Sequence, residues 1–206
     1  MRSSRLHRFR TLAQQITPQD VVLDIGAYDC ALRDHVQYKE YHAVDLTRLK
    51  EGVLLVNVSY EKLPYPDQKF DVVVMSMLLS HVDNPIFTLK EARRVLKDSG
   101  KLVLVFTNIE NVNKLLQGIF RRKKFLQKPN LSYISVFGTQ EIVNLLSRTG
   151  FSVGIFQKHY AELFNHHLPL LDWTTLFSEY VLVTAKKSEV TPEEWFYGKG
   201  SLRPKF

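Results

Sequence analysis

The sequence predicts a doubly wound α/β domain: a mostly parallel β-sheet with helices on both faces. Two observations carry that expectation. Short apolar runs rich in β-branched residues recur along the chain, such as Val21-Val22-Leu23-Asp24-Ile25 and Phe70-Asp71-Val72-Val73-Val74-Met75. Runs of this kind read as strands buried on both faces. Amphipathic segments alternate with them across most of the 206 residues, which implies right-handed crossovers between parallel strands. Ligands of such sheets bind beyond the carboxyl ends of the strands, where the strand order reverses.

The elements follow in order. Leu6, Phe9, Leu12, Ala13 and Ile16 recur at helical spacing, so Arg5 to Ile16 reads as an amphipathic leading helix that Thr17-Pro18 ends. Strand Val21–Ile25 is followed by a turn from Gly26 to Cys30 and a helix beginning at Ala31 to Val36. Strands are expected at Tyr41–Asp45, Val53–Val58 and Phe70–Met75, and a helix from Pro85 to Leu96. The Asp98-Ser99-Gly100 turn then leads into a strand over Leu102–Phe106. A helix over Thr139–Thr149 precedes strands at Phe151–Phe156 and Glu179–Ala185.

Composition narrows the class. Hydrophobic residues at 45% and charged residues at 24% are ordinary for a globular domain. No apolar run reaches the roughly 18–20 residues that span a bilayer, and the basic start Met1-Arg2-Ser3-Ser4-Arg5 lacks the apolar core of a secretion signal. Cys30 is the sole cysteine, which rules out an internal disulfide and points to a reducing, cytoplasmic home. The excess of 28 Lys and Arg over 21 Asp and Glu favours an anionic partner. His166 and His167 have no Cys, Asp or His cluster around them in sequence, so no metal site is expected.

Two acids occupy informative positions. Asp24 lies at the end of the first strand, before the Gly26 turn, and Asp45 closes the second strand about 20 residues later. A carboxylate at a second strand's end can accept hydrogen bonds from both hydroxyls of a ribose. A glycine turn lets backbone approach a ligand where a Cβ would clash. A dinucleotide site wants G-x-G-x-x-G around a pyrophosphate. Here Gly26 is followed by Ala27-Tyr28-Asp29-Cys30, which lacks two glycines and sets a negative charge where the pyrophosphate would lie. The loop suits an adenosine-type cofactor whose far end is cationic.

These residues resemble the first motif, D-x-G-x-G-x-G, of class I S-adenosylmethionine (SAM)-dependent methyltransferases, of the kind acting on small molecules, glycans or lipids (methyltransferase type 11/23-like). Leu63-Pro64-Tyr65-Pro66-Asp67-Gln68-Lys69-Phe70-Asp71-Val72-Val73 is similar to that family's LPFPDxxFDVV segment. His81-Val82-Asp83-Asn84-Pro85 and Glu91-Ala92-Arg93-Arg94-Val95-Leu96-Lys97-Asp98-Ser99-Gly100 resemble its EH…P…E..RVLKPGG segment, and Phe137 to Phe151 its F…LL..aGF element. Four segments in family order carry more weight than any one of them.

The resemblance implies a Rossmann-like fold with seven strands, and SAM as cofactor. The domain would run over 1–187, with a leading helix at 1–17 and an acceptor-side insertion at 109–135, followed by a tail at 188–206. Asp24, Gly26, Ala27 and Tyr28 would hold the methionine end, Asp45 the ribose, and Leu46 would flank the adenine. Asn57 or Ser59 would stand where an acid commonly reads the adenine amino group, and Met75, Ser76 and Met77 would line the pocket.

His81 is the candidate general base for an oxygen or nitrogen acceptor, with loop packing as its other reading. Arg121-Arg122-Lys123-Lys124, flanked by Phe120 and Phe125, and Tyr133 would face an anionic acceptor or a peripheral membrane surface. Tyr28 and Cys30 replace family glycines, so Tyr28 must keep φ negative or turn its ring away from the ligand. Cys30 reads as a small packing residue. Trp195, Phe196, Tyr197 and Phe206 are too apolar for a free tail and are expected to dock. Two other readings stay open: a methyltransferase-fold binding or regulatory protein without turnover, and an RNA methyltransferase using the basic 121–128 segment.

Overall fold

A computed structural model describes residues 3–47, 49–107, 134–135, 137–160 and 178–189. Arg121, Arg122, Lys123, Lys124, Tyr133, His166, His167 and the tail beyond 189 lie outside the described residues. Among the described residues the α-helices are α1 (Ser3–Ala13), α2 (Pro85–Val95) and α3 (Thr139–Arg148). The strands are β1 (Val21–Ile25), β2 (Glu40–Asp45), β3 (Val53–Leu55), β4 (Phe70–Ser76), β5 (Leu96–Thr107), β6 (Phe151–Tyr160) and β7 (Ser178–Lys187). They form one seven-stranded sheet in the order β3-β2-β1-β4-β5-β7-β6. β1 to β5 pair in parallel, and β7 runs antiparallel to both β5 and β6. The order reverses between β1 and β4, so the cleft expected to hold a ligand opens beyond their carboxyl ends.

Alternation along the strands sorts the core into two layers. Leu23, Ile25, Val73, Met75, Leu102 and Leu104 face α2 and α3, meeting Leu89, Ala92, Val95, Ile142 and Leu146. Val22, Val72, Val74, Val103 and Val105 face the other way, against Phe9, Leu12 and Ile16 beneath α1. Each of those three side chains contributes about 1.5–3 kcal/mol by leaving water, which fixes the leading helix over β1 and β4.

Several boundaries differ from expectation. The helix expected from Ala31 is a 3-10 helix over Ala31–His35, because Cys30 before it is left-handed (φ 56°) and supplies no side-chain cap. β3 stops at Leu55 rather than Val58, since Asn57 starts a turn whose carbonyl accepts Tyr60 N–H and Glu61 N–H. Only seven residues, 46–52, separate β2 from β3, fewer than the dozen or more a parallel crossover usually takes. β5 begins at Leu96, pairs with Phe70, and resumes at Lys101 opposite Val72, so the expected turn at Asp98–Gly100 is an irregularity inside the strand. Gly100 is required there: a Cβ would lie 2.9 Å from the Asp71 carbonyl oxygen.

The segment before β4 is anchored through α2. Asn84 caps this helix by accepting Phe87 N–H, with Pro85 in its first turn. The Arg94 guanidinium donates to Glu91, to Asp67, and to the carbonyls of Leu63 and Tyr65. Glu91 is buried and also accepts Leu63 N–H. The motif residues around Leu63–Asp67 and Glu91–Arg94 are therefore one staple between loop and helix.

Candidate cofactor and acceptor site

The loop after β1 has the backbone of a glycine motif with only the first of its glycines. Gly26, Tyr28 and Cys30 all lie at positive φ, at 77°, 51° and 56°. These are the three positions where the family pattern writes glycine. For Tyr28 and Cys30 the left-handed conformation costs about 1–2 kcal/mol each. The loop is held from three sides against that strain. Gly26 N–H and Ala27 N–H donate to the Val44 carbonyl, Tyr28 N–H donates to Asp45 Oδ2 at 2.8 Å, and Asp29 pairs with Arg5 of α1. Of the two options open to Tyr28, the structure adopts the second: φ is positive and the side chain is 58% exposed, turned to solvent. Cys30 is fully buried, and burial pushes its thiol pKa up, which suits packing.

Gly26 is needed for a second reason. A Cβ on it would stand 2.7 Å from Leu78 Cδ1, so the segment after β4 closes directly over the loop. Met77 in that segment is itself left-handed (φ 62°), with its N–H on the Val105 carbonyl and its sulfur accepting from the Thr107 hydroxyl. Met75 is buried in the core, while the buried Ser76 hydroxyl has no hydrogen-bond partner among the described residues. A strained residue beside an unsatisfied buried hydroxyl marks the carboxyl end of β4 as a place built for contact.

Three acids converge here. Asp24 is 3% exposed, and its pKa is raised to about 6, first by burial and then by the negative charges of Asp45 and Asp29. The Tyr41 hydroxyl, donating to Asp24 Oδ2 at 2.6 Å, opposes that rise. Asp45 accepts Tyr28 N–H on Oδ2, and Thr47 N–H and Oγ–H on Oδ1, so among the described residues one lone pair of Oδ2 is left to a ligand hydroxyl. Such a site repels a pyrophosphate and attracts a sulfonium and an ammonium. A glycine cradle, an acid with spare acceptor capacity at the second strand's end, and buried negative charge all fit SAM.

The other expected site residues lie beyond the carboxyl ends of β2, β3 and β4. Asn57 Oδ1 accepts Ser59 N–H, and the buried Ser59 hydroxyl accepts Asp83 N–H at 3.0 Å. Asn57 thus closes the turn after β3 on itself, and Ser59 ties that turn to the segment before α2. Leu46 is 68% exposed beside Asp45. His81 is exposed at the end of a 3-10 helix over Leu79–His81, its N–H on the Leu78 carbonyl. The Ser80 carbonyl next to it accepts Ile134 N–H and Ser135 N–H. Tyr41, Leu78 and Arg5 escape sequence reasoning because each acts across strands or elements, whereas Thr47 acts on Asp45 two residues before it. A concavity of about 520 Å³, lined by Gln68, Arg93, Asp98, Gly150 and Lys187, lies at the opposite, amino-terminal end of the sheet. Two of its cations are engaged, Arg93 with the Gly150 carbonyl and Lys187 with Asp98, and it has no part in this cleft.

Residues 23–104 match the model of a methyltransferase domain family. A ubiquinone/menaquinone biosynthesis C-methyltransferase of a Shewanella species is 32% identical over 97 residues, 44% of this chain and 38% of that protein. An uncharacterized protein of Methanocaldococcus jannaschii is 26% identical over 103 residues, 50% of this chain and 48% of its own. The chain thus matches less than half the length of these curated relatives. Among solved structures, a SAM-dependent methyltransferase from Thermotoga maritima superposes with a TM-score of 0.59 at 22% identity, covering 89% of this chain and 92% of that one. One from Mesorhizobium loti superposes at 0.62 with 14% identity, covering 90% and 99%. Sequence motifs, strand order and domain match agree: residues 23–104 match a methyltransferase domain, and the chain has the fold of the class I SAM-dependent methyltransferases.

Proposed function

We propose that this chain transfers the methyl group of SAM to an acceptor with an apolar portion, a small molecule or a lipid-linked one. The observation that carries the reading is the retained cradle: three left-handed residues at the motif's glycine positions, between Asp24 and Asp45. Strain of this kind persists only where the surroundings over-determine it, and it clusters at ligand sites.

SAM supplies an electrophilic methyl carried on a sulfonium. The protein's part is alignment. Asp24 would receive the ammonium of the amino-acid end, Asp45 the ribose hydroxyls, and Ser76 and Met77 would border the adenosine. Leu46 would lie against the base. The acceptor would approach past Leu79–His81, where exposed Ile86 and Ile134 flank the segment and exposed Tyr60 follows the Ser59 that binds Asp83. These apolar surfaces favour a greasy acceptor over a polynucleotide. The C-methyltransferase relatives act in quinone biosynthesis by name, which supports a small-molecule acceptor here. His81 would take the proton of a hydroxyl or amine acceptor. Holding nucleophile, methyl and sulfur in line would supply most of the acceleration.

Calorimetry with SAM and S-adenosylhomocysteine tests the cofactor site: saturable binding is expected, and none at millimolar ligand refutes the reading. Transfer of labelled methyl to a panel of phenolic, quinol and lipid-linked acceptors then separates an enzyme from a binding protein. Methylation of RNA alone, with binding that weakens linearly in log salt, would overturn the acceptor class.

A further inference from the structure

We propose that Tyr41 is a positioning residue of the cofactor site, holding Asp24 by one oxygen so that the other meets the cofactor's ammonium group. This rests on the reading of Asp24 as that group's ligand. Val22 faces Tyr41 and Asp24 faces Ala43 in the β1–β2 register, so Tyr41 and Asp24 are diagonal neighbours on one face of the sheet. A tyrosine spans such a diagonal, and its hydroxyl reaches Asp24 Oδ2 at 2.6 Å. Asp24 Oδ1 accepts no hydrogen bond among the described residues. The tyrosine ring is itself set, packed at a 50° tilt against Tyr38 with 5.2 Å between centroids. Burial and the adjacent Asp24 charge push the Tyr41 phenol pKa far upward, so it remains a donor at every working pH.

The surroundings otherwise oppose a charged Asp24. Asp45 on β2 and Asp29 in the loop both disfavour it, and burial does so most. The Cys30 thiol beside it is un-ionised. Arg33 on the 3-10 helix bears on Tyr41 and Cys30, Lys50 on Cys30, and Arg5 of α1 is spent on Asp29. The Tyr41 hydrogen bond is the interaction that lowers the Asp24 pKa. Without it, Asp24 would stay protonated to higher pH, and a protonated acid has no charge to offer an ammonium.

The test is calorimetry of SAM binding from pH 5 to 8 on wild type, Tyr41→Phe and Asp24→Asn, with ¹³C NMR titration of the Asp24 carboxyl in unliganded protein. Wild-type affinity should fall as pH drops through about 6. In Tyr41→Phe the midpoint of both curves should move up by about one unit, the size of one lost charge-assisted hydrogen bond, weakening binding about fivefold at pH 6. Asp24→Asn should bind weakly, with no pH dependence in this range. Superimposable wild-type and Tyr41→Phe curves, with Asp24→Asn defective, would overturn the role of Tyr41 alone. Undiminished binding by Asp24→Asn would overturn the reading of Asp24, and this role with it. The NMR midpoint reports the hydrogen bond even if a variant binds poorly for other reasons.

Discussion

Replacing Asp24 with asparagine should make the unliganded protein more stable, by an amount that depends on pH. Folding buries this carboxyl and moves its pKa from 3.8 to about 6, with burial as the main cause. A group whose folded pKa is raised stabilises the fold only while protonated. Its contribution is complete below pH 3.8 and is lost as pH climbs through about 6. The difference of about two pKa units, at about 1.36 kcal/mol each, amounts to about 3 kcal/mol carried by the wild type at pH 8. Asparagine has the same shape, can still accept the Tyr41 hydroxyl bond, and never ionises. The variant's advantage over wild type should therefore widen by about 2 kcal/mol between pH 4.5 and pH 8. Other titrating groups are common to both proteins and cancel in the difference. Urea unfolding at the two pH values measures it, and a thermal scan at pH 8 should show a corresponding gain of several degrees. SAM should reverse the ranking by stabilising the wild type more. An advantage that stays constant with pH, or a variant less stable at pH 8, would refute the argument that Asp24 is a buried charge held for function.

Tyr28→Gly should keep SAM affinity within about threefold, and relief of the left-handed backbone, offset by a freer unfolded chain, should leave a net stability gain below about 1 kcal/mol. Loss of SAM binding in calorimetry would instead show that the ring is part of the pocket wall. Arg94→Met leaves the buried Glu91 without its partner and should destabilise by about 3 kcal/mol at pH 7 in urea unfolding. Burial raises the Glu91 pKa and Arg94 overrides it, holding it below its usual 4.5, so that deficit should shrink as pH falls and the unpaired Glu91 takes up a proton before the paired one does. A deficit unchanged at pH 4 would count against the ion pair as its source. His81→Ala should lower kcat about a hundredfold on a hydroxyl acceptor while leaving the Kd for SAM unchanged. An unchanged kcat would leave alignment alone as the catalytic device.

The architecture was legible where period and chemistry coincide. β1 and β4 are continuous apolar runs because both faces are covered, and the loop between Asp24 and Asp45 shows its chemistry in residue types alone. The boundaries that shifted did so through long-range contacts. β5 reaches back to Leu96 because Phe70 offers it a partner, and Gly100 lets the chain pass the Asp71 carbonyl, neither of which leaves a local signal. The missing glycines at 28 and 30 look like decay in sequence. In the structure their φ angles are those of the glycines they replace, because the loop is tied to Val44, Asp45 and Arg5. Those ties come from β2 and α1, distant in sequence, and they explain why the motif tolerates two side chains it would normally forbid. The backbone is imposed by its neighbours, and the glycines that would ordinarily permit it are dispensable while those neighbours hold. By the same reasoning, this cofactor loop should be more sensitive to changes at Arg5 and Asp45 than a glycine-rich one would be.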